Sequence, residues 1–285
     1  MQPFTITQFN EQYPTDDACL DAIFKNRYGT LHRCPTCEKR TTFYRVKHRK
    51  CYACQVCGYQ LHPLADTIFH KSETPLKSWF YAIFLFANSK NGVAAKELER
   101  QLGVTYKTAW RMAKQIRMLF KSPARKLSKT VEMDDTYVGG VSHGKRGRGA
   151  AGKTIVLGAV QREGRIAASV VSNLSAETVR PFIEKHITQG AALMTDECKT
   201  YRKTRKGYTH RTVNHSSGKY VRGTVHTNTI EGFWSQLKRS LSGTYHAVSP
   251  KYLQAYVDEF AYRYSKRHAL SSLFFPILAR AGRPA

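Results

Sequence analysis

The chain has 285 residues, with 46 lysines and arginines against 20 aspartates and glutamates, so its formal net charge is +26 and its pI is about 10.0. A surplus this large favours a polyanionic partner, and nucleic acid is the usual one. The longest apolar run, residues 79–87, is far shorter than the ~20 residues that span a bilayer. The first ten residues lack the basic and apolar segments of a secretory signal. We therefore expect a nucleic-acid-binding protein of the bacterial cytoplasm, associated with the nucleoid and not with a membrane.

Four cysteines form two CxxC pairs in the N-terminal part of the chain. Cys34 pairs with Cys37 and Cys54 pairs with Cys57, and 16 residues separate the two pairs. This spacing is typical of a tetrahedral structural zinc site. Short strands predicted at residues 43–46 and 49–52 would complete a zinc ribbon. One zinc ion with four protein ligands would fold this module, which we assign to residues 1–72 together with a helix from residue 16 to residue 28, and would do no chemistry.

A fifth cysteine leaves an alternative for the second pair. Cys51 and Cys54 also form a CxxC pair, which overlaps the pair of Cys54 and Cys57. Gly58 follows Cys57, and glycine permits the tight turn that a zinc knuckle needs. This favours Cys54 and Cys57 as the ligands.

Residues 73–122 carry apolar side chains at helical spacing. The first apolar face consists of Leu76, Trp79, Phe80, Ile83, Phe84 and Ala87. Residues 94–102 and a segment from Thr105 to about residue 120 are predicted as two further helices, joined by a turn at Gly103. The pair resembles a helix-turn-helix, in which Lys107 and Arg111 would lie early on the DNA-recognition helix. An ordinary helical hairpin is the alternative.

Beyond Pro123 the pattern changes to strands. Strands are predicted at residues 130–138, 154–160, 166–171, 191–195 and 208–213, with helices at 176–187 and from Asn228 to a stop at Gly243. This order predicts an α/β layered domain of the ribonuclease-H type over residues 126–268, followed by a C-terminal tail at 269–285. A glycine-rich basic loop at 143–153 is predicted to contact DNA phosphates through Lys145, Arg146 and Arg148. A solvated hairpin turn is the alternative.

Three acids fall on elements that converge in such a topology. Asp134 lies in the first strand, Asp196 follows a later strand, and Glu231 lies in the helix that begins near Asn228. Phosphodiester cleavage commonly uses two divalent metals about 4 Å apart, and such ions need carboxylate oxygens. The alternative for Glu231 is structural: with Asn228 as the N-cap, Glu231 would stand at N3 and close a capping box.

The zinc ribbon and three further motifs, VEMDDTYVGG, LMTDECKTY and HTNTIEGFWSQLKR, resemble the ISXO-type insertion-sequence transposases, DDE enzymes related to the Merlin elements. The resemblance covers about residues 16–267. It implies that Asp134, Asp196 and Glu231 bind two Mg²⁺ or Mn²⁺ ions. Asp135 stands where family members carry glutamate and falls outside this triad. Lys238 matches a basic residue that binds element-end DNA, and we expect the adjacent Arg239 to bind DNA as well.

The resemblance implies a DNA transposase. Metal-activated water would cleave the phosphodiester at an element end, and the freed 3′-hydroxyl would attack target DNA. The ribbon and the helix-turn-helix would recognise terminal inverted repeats in double-stranded DNA, with the protein acting as a homodimer or larger multimer. Two alternatives remain: a non-catalytic DNA-binding regulator derived from such an enzyme, and a structure-specific nuclease on the same fold. Three carboxylates amid a charge of +26 argue against the regulator, and strand joining would distinguish the nuclease.

Overall fold

The structure is a computed structural model, and it describes residues 4–123, 125–139, 152–196, 200–201, 207–213, 223–269 and 271–284. The chain is a mixed α/β protein whose contacts divide it into two compact units. The first unit comprises Met1–Leu119 together with Ala269–Ala285, and the second comprises Phe120–His268. No helix within the described ranges is long and apolar enough to cross a membrane.

The first unit contains a small sheet and six helices among its described residues. They are α1 (Ile6–Gln12), α2 (Asp16–Tyr28), β1 (Phe43–Arg45), β2 (Tyr52–Cys54), β3 (Gln60–Leu61), α3 (Leu76–Asn88), α4 (Ala95–Leu102), α5 (Tyr106–Met118) and α9 (Phe274–Ala281). Helices α2 to α5 agree with the sequence pattern to within about two residues, and every residue of the predicted apolar face of α3 is buried. Helices α1 and α9 and strand β3 were not predicted.

The three short strands form an antiparallel sheet in the order β1-β2-β3. The second strand begins at Tyr52 and not at Arg49 as predicted. A turn occupies the intervening residues: His48 has a positive φ of 59°, and the Arg49 N–H donates to the Val46 carbonyl at 3.3 Å. A residue inside such a turn cannot join the ladder, and the strand is therefore displaced toward the second cysteine pair.

The segment that we expected to be a C-terminal tail contains α9, which packs against α3. Its Phe274 is fully buried, and its ring lies 4.9 Å from that of Phe4 and 5.7 Å from that of Tyr13. The Asn26 side-chain amide also donates to the Ala279 carbonyl at 3.0 Å. Residues from both ends of the chain therefore share the core of the first unit.

The second unit is built on a five-stranded sheet. Its elements are β4 (Thr130–Val138), β5 (Thr154–Gln161), β6 (Ile166–Val171), α6 (Ala176–His186), β7 (Ala192–Thr195), β8 (Thr209–Thr212), α7 (Asn228–Ser240) and α8 (Pro250–Ser265). The predicted strands and α6 agree with these bounds to within one residue. The strand order is β6-β5-β4-β7-β8, in which β5 is antiparallel to β4 and β6, and β7 is parallel to β4 and β8.

Helices cover both faces of this sheet. On one face, Val131 and Met133 of β4 pack in a buried cluster with Ile183 of α6. On the other face, strand β5 contributes Val156 to a cluster with residues of α7 and α8, including Phe233. Because side chains alternate along a strand, the even-numbered residues of β4 face the α7 side and the odd-numbered ones face α6.

Helix α7 differs from its prediction at both ends. Its N-cap is Thr227, so Asn228 is already the first helical residue. At the other end the backbone passes from Ser240 into a π-helical turn, Leu241–Tyr245, and Gly243 therefore does not stop the helix. The predicted phosphate-contacting residues Lys145, Arg146 and Arg148 lie outside the described residues.

Candidate functional site

Four cysteine sulfurs converge in the ribbon of the first unit. Cys34, Cys37, Cys54 and Cys57 place their sulfurs within 4.8 Å of one another, and within the described part of the chain they are the one such group of three or more metal-ligating side chains. The Cys34 and Cys57 sulfurs are 3.6 Å apart, and those of Cys37 and Cys54 are 3.9 Å apart. A tetrahedron of Zn–S bonds near 2.3 Å requires sulfur separations of about 3.8 Å. The cluster therefore fits zinc.

The two halves of this ribbon repeat one local geometry. The N–H of Glu38 donates to the Cys34 carbonyl at 2.9 Å, and the N–H of Gly58 donates to the Cys54 carbonyl at 3.0 Å. Both donors have positive φ, 57° for Glu38 and 75° for Gly58. Cys51 lies outside the cluster, and its sulfur is 3.5 Å from the side-chain carbonyl of Gln60. The geometry thus favours Cys54 and Cys57 over the pair that begins at Cys51.

In the second unit, the register of two parallel strands brings two acids together. Met133 of β4 is aligned with Thr195 of β7, which is the last aligned pair of these strands. Asp134 and Asp196 are the residues that follow this pair, at the carboxyl end of β7. Neighbouring strands are about 4.8 Å apart, and residues at matching positions face the same side of a sheet. Asp134 and Asp196 are both half-buried.

Asp135 faces the opposite side of the sheet. Its Oδ1 accepts a 2.8 Å hydrogen bond from the hydroxyl of Tyr201, which is fully buried in the cluster beneath α6. Burial, followed by the charges of Asp135 and Asp134, raises the pKa of Tyr201 well above its ordinary value. The two adjacent aspartates are therefore separated by the pleat of β4, and only Asp134 lies on the α7 face.

Helix α7 brings Glu231 to the face that carries Asp134. The indole N–H of Trp234, one turn beyond Glu231, donates to Oδ2 of Asp134 at 3.2 Å. Gly158, paired with Asp134 in the neighbouring strand, leaves room for this indole, because a Cβ at that position would lie 2.6 Å from Trp234 Cη2. The absence of a side chain on β5 thus lets α7 approach the sheet closely.

A fourth acid, Glu132, anchors the beginning of α7. Glu132 is fully buried, and its Oε2 accepts the backbone N–H groups of Thr229 and Ile230 at 2.8 and 3.1 Å. These are the N2 and N3 positions of a helix whose first N–H groups have no intrahelical acceptor. Arg162 pairs with the same carboxylate through its Nε, 2.7 Å from Oε1. The helix is therefore capped by a side chain from β4.

The structure also tests the structural alternative for Glu231, which was a capping-box role at the N3 position. With Thr227 as the N-cap, Glu231 stands at N4 and not at N3, so it does not occupy the capping-box position. Its Oε1 instead accepts a hydrogen bond from the Thr227 hydroxyl at 2.9 Å, and its side chain is exposed. Glu132, and not Glu231, therefore accepts backbone N–H groups at the start of α7.

The electrostatics of Asp134 report the proximity of the other acids. Burial, then the charge of Asp135, and also those of Asp196 and Glu231, raise the pKa of the Asp134 carboxyl to about 7. Carboxylates that repel one another in this way are drawn together by a divalent cation, and hard oxygen ligands suit Mg²⁺ or Mn²⁺. Asp134, Asp196 and Glu231 thus offer oxygen ligands of the kind that a divalent metal prefers, although their oxygens are not as closely gathered as the cysteine sulfurs.

The basic residues singled out in the sequence are exposed where the structure describes them. Lys238 and Arg239 lie in the last turn of α7. Lys107 and Arg111 lie on one face of α5, one turn apart, and Arg111 also donates to the His70 carbonyl at 3.4 Å.

Sequence reasoning assigned no role to Glu132 and no polar role to Trp234. A period of two along β4 places Glu132 on the same side as Asp134, which is the one signal that was available. Its partners come from residues about 30 and 97 positions away, and no local pattern identifies them. Trp234 is buried, and its indole combines packing against the sheet with the hydrogen bond to Asp134.

Comparison with known proteins defines the class of each part. Residues 14–60 match the family described as a transposase zinc-ribbon domain, and residues 126–265 match the ISXO2-like transposase domain. The fold and the cysteine cluster thus belong to an insertion-sequence transposase with a zinc ribbon and a DDE domain. Residues 126–265 belong to the ISXO2-like transposase family, as the sequence motifs predicted.

Two further matches are to individual proteins. An uncharacterized protein in transposable element ISH50 of Halobacterium salinarum is 26% identical over 252 residues, which cover 81% of this chain and 84% of that protein. A cryo-electron microscopy structure of the simian T-cell lymphotropic virus intasome with PP2A regulatory subunit B56 gamma is 11% identical, with a TM-score of 0.29. That match covers 64% of this chain and 65% of the other.

Proposed function

We propose that this transposase binds the inverted repeats at the ends of its element, cleaves the DNA there and joins the freed 3′ end to target DNA. Asp134, Asp196 and Glu231 would be the catalytic carboxylates, on a domain of the ribonuclease-H type. The observation that carries this proposal is the parallel register of β4 and β7, which pairs Met133 with Thr195 and so brings the next residues, Asp134 and Asp196, to one end of the sheet. Helix α7 contacts Asp134 there through Trp234.

The chemistry assigns a role to each of these residues. When bound, two Mg²⁺ or Mn²⁺ ions activate water and stabilise the leaving oxygen of a phosphodiester. Asp134 and Asp196 would hold them from adjacent strands, and Glu231 would close the site from α7. Trp234 would orient the Asp134 carboxylate through its indole N–H. Asp135, hydrogen-bonded to Tyr201 on the other face, would take no part in metal binding.

DNA would be held by the basic surfaces of both units. In the first unit, α4 and α5 would act as a helix-turn-helix, supported by the left-handed Gly103 (φ 64°) between them and by the Thr105 cap of α5. Lys107 and Arg111 face solvent there, while the opposite face of α5 is buried. In the second unit, Lys238 and Arg239 would contact the DNA backbone beyond Glu231. We propose a homodimer or larger multimer on DNA, at the nucleoid in the cytoplasm.

The test is cleavage and joining of a duplex that carries the end of the element, taken from the DNA flanking the gene. Asp134→Asn, Asp196→Asn and Glu231→Gln each preserve shape and remove one charge from the proposed metal site. We expect each change alone to abolish Mg²⁺-dependent cleavage while the full chain still binds the duplex.

Asp135→Asn is the matched control, because it removes a charge from the adjacent residue on the opposite face. It should keep substantial activity. Robust Mg²⁺-dependent cleavage by Glu231→Gln would contradict the assignment of the triad. Cleavage by the wild-type chain without any joining product would instead indicate a structure-specific nuclease.

A further inference from the structure

We infer that Glu132 is a positioning residue, which locks the helix carrying Glu231 to the strand carrying Asp134 and so sets the geometry of the acidic site. The inference rests on the function proposed above for Asp134 and Glu231. It concerns a residue that belongs to neither the triad nor the DNA-binding set.

The position of Glu132 in the sequence links the two elements directly. Glu132 is two residues before Asp134 and on the same face of β4. The two backbone N–H groups that it accepts belong to Thr229 and Ile230, and Glu231 is the next residue. The Glu132 carboxylate therefore links β4, two residues before Asp134, to α7, one residue before Glu231.

The contacts of Glu132 also exclude it as a metal ligand. Its Oε1 accepts from the Arg162 Nε at 2.7 Å and from the Thr229 hydroxyl at 2.8 Å. Its Oε2 accepts from two backbone N–H groups, and the side chain is 0% exposed. Both oxygens of this carboxylate are thus already surrounded by donors within the protein.

Arg162 extends the anchor to the segment that precedes α7. Besides pairing with Glu132, its guanidinium donates to the Thr224 carbonyl at 2.8 Å and to the His226 carbonyl at 3.2 Å. The His226 ring also lies close, with Nδ1 3.2 Å from Glu132 Oε1, although it forms no hydrogen bond there. The approach to α7 and its first turn are therefore fixed by the same ion pair.

Glu132→Gln tests this inference, because both oxygens face donors and an amide NH₂ would oppose one set of them in either orientation. The matched control is Glu259→Gln. Glu259 is likewise a fully buried glutamate that pairs with an arginine, with its Oε1 2.7 Å from Arg263, but that pair lies within α8. The Glu259→Gln variant therefore reports the general cost of disrupting a buried ion pair.

The first readout is amide hydrogen exchange in the full-length protein. The Thr229 and Ile230 N–H groups lie in the first turn of α7, so their protection reports the Glu132 cap itself. We expect Glu132→Gln to speed their exchange by about tenfold or more relative to the β5 amides. Glu259→Gln should leave that ratio unchanged.

The second readout is Mn²⁺ affinity, measured by calorimetry on zinc-loaded protein. Loss of a residue that orients metal ligands typically weakens binding by about 10- to 100-fold, and we expect Glu132→Gln to fall in this range while Glu259→Gln keeps wild-type affinity. Should Glu132→Gln fail to fold, Thr229→Val removes one donor to Glu132 and should change both readouts in the same direction, to a smaller extent.

These outcomes separate the inference from the proposed function. If wild-type protein binds Mn²⁺, Glu231→Gln does not, and Glu132→Gln leaves exchange and affinity unaltered, the positioning role is wrong and the triad stands. If Glu231→Gln binds Mn²⁺ as wild type does, the proposed function is wrong, and faster exchange in Glu132→Gln would then describe a structural cap alone.

Discussion

Two helices of this protein, α3 in the first unit and α7 in the second, are capped by carboxylates from distant parts of the chain. The N-cap of α3 is Pro75, whose side chain has no hydrogen-bond acceptor, and Asp16 accepts the N–H groups of Leu76 and Lys77 at 3.0 and 2.9 Å. At α7 the equivalent acceptor is Glu132. Asp16 is half-buried, whereas Glu132 is fully buried and paired with Arg162.

The two carboxylate caps differ in how far water can reach them, and so in what they contribute to the structure. Water can reach the Asp16 cap and replace part of it, so this contact stabilises the start of a core helix without being indispensable. Water does not reach the Glu132 carboxylate, although the Arg162 side chain is partly exposed. Loss of this acceptor would leave buried N–H groups unsatisfied, which costs about 1–3 kcal/mol for each group. Such a contact contributes a fixed geometry, which a metal site requires and an ordinary core helix does not.

The packing of α7 against the sheet can be changed without substituting any acidic residue. Gly158→Ala would place a Cβ 2.6 Å from the Trp234 ring, and overpacking of this kind costs about 1–3 kcal/mol. We expect lower stability of the second unit, a shifted Trp234 emission and weakened Mn²⁺ binding, measured by unfolding, fluorescence and calorimetry.

Gly232→Ala is the control for that substitution. Gly232 lies in α7 with nothing within 4 Å of the added Cβ, and alanine in a helix is favoured over glycine by about 0.5–1 kcal/mol. It should be neutral or stabilising. If Gly158→Ala were equally harmless, the close approach of α7 to β5 would not be important for the site.

The cap of α3 should show a smaller effect. Asp16→Ala removes both acceptors and should lower the stability of the first unit by about 1 kcal/mol, as measured by hydrogen exchange of the α3 amides. Asp16→Asn keeps one acceptor and should lose only part of this. A loss for Asp16→Ala as large as that for Glu132→Gln would remove the distinction between the two caps.

How much could be predicted from the sequence depended on whether the signal was local. The cysteine pairs and strands β4 and β6 were found because adjacent residues define them. The start of α7 was misplaced by one residue, because its cap comes from Glu132 and not from Asn228. Helix α9 was taken for a tail, because its apolar face has meaning only against α3.

For the acidic site, the sequence signal was local for the identity of the residues but not for their arrangement. Asp134, Asp196 and Glu231 could be named from motifs, yet their convergence depends on strand register and on the packing of Trp234 over Gly158. The choice between Asp134 and Asp135 also required the pleat of β4, which turns one toward α7 and the other toward Tyr201. Tertiary geometry of this kind has no signature in a single sequence.

The most direct test of the acidic site is a crystal structure of the full chain grown with zinc and soaked in MnCl₂ at pH 8. The pKa of Asp134, raised to about 7, means that a soak at pH 5.5 leaves this carboxyl protonated and should weaken binding. We predict anomalous manganese density at pH 8 that is coordinated by Asp134, Asp196 and Glu231, with Glu132 still bonded to Thr229 and Ile230. Manganese bound by Asp135 or Glu132, or no manganese beside Asp134 at pH 8, would contradict the account.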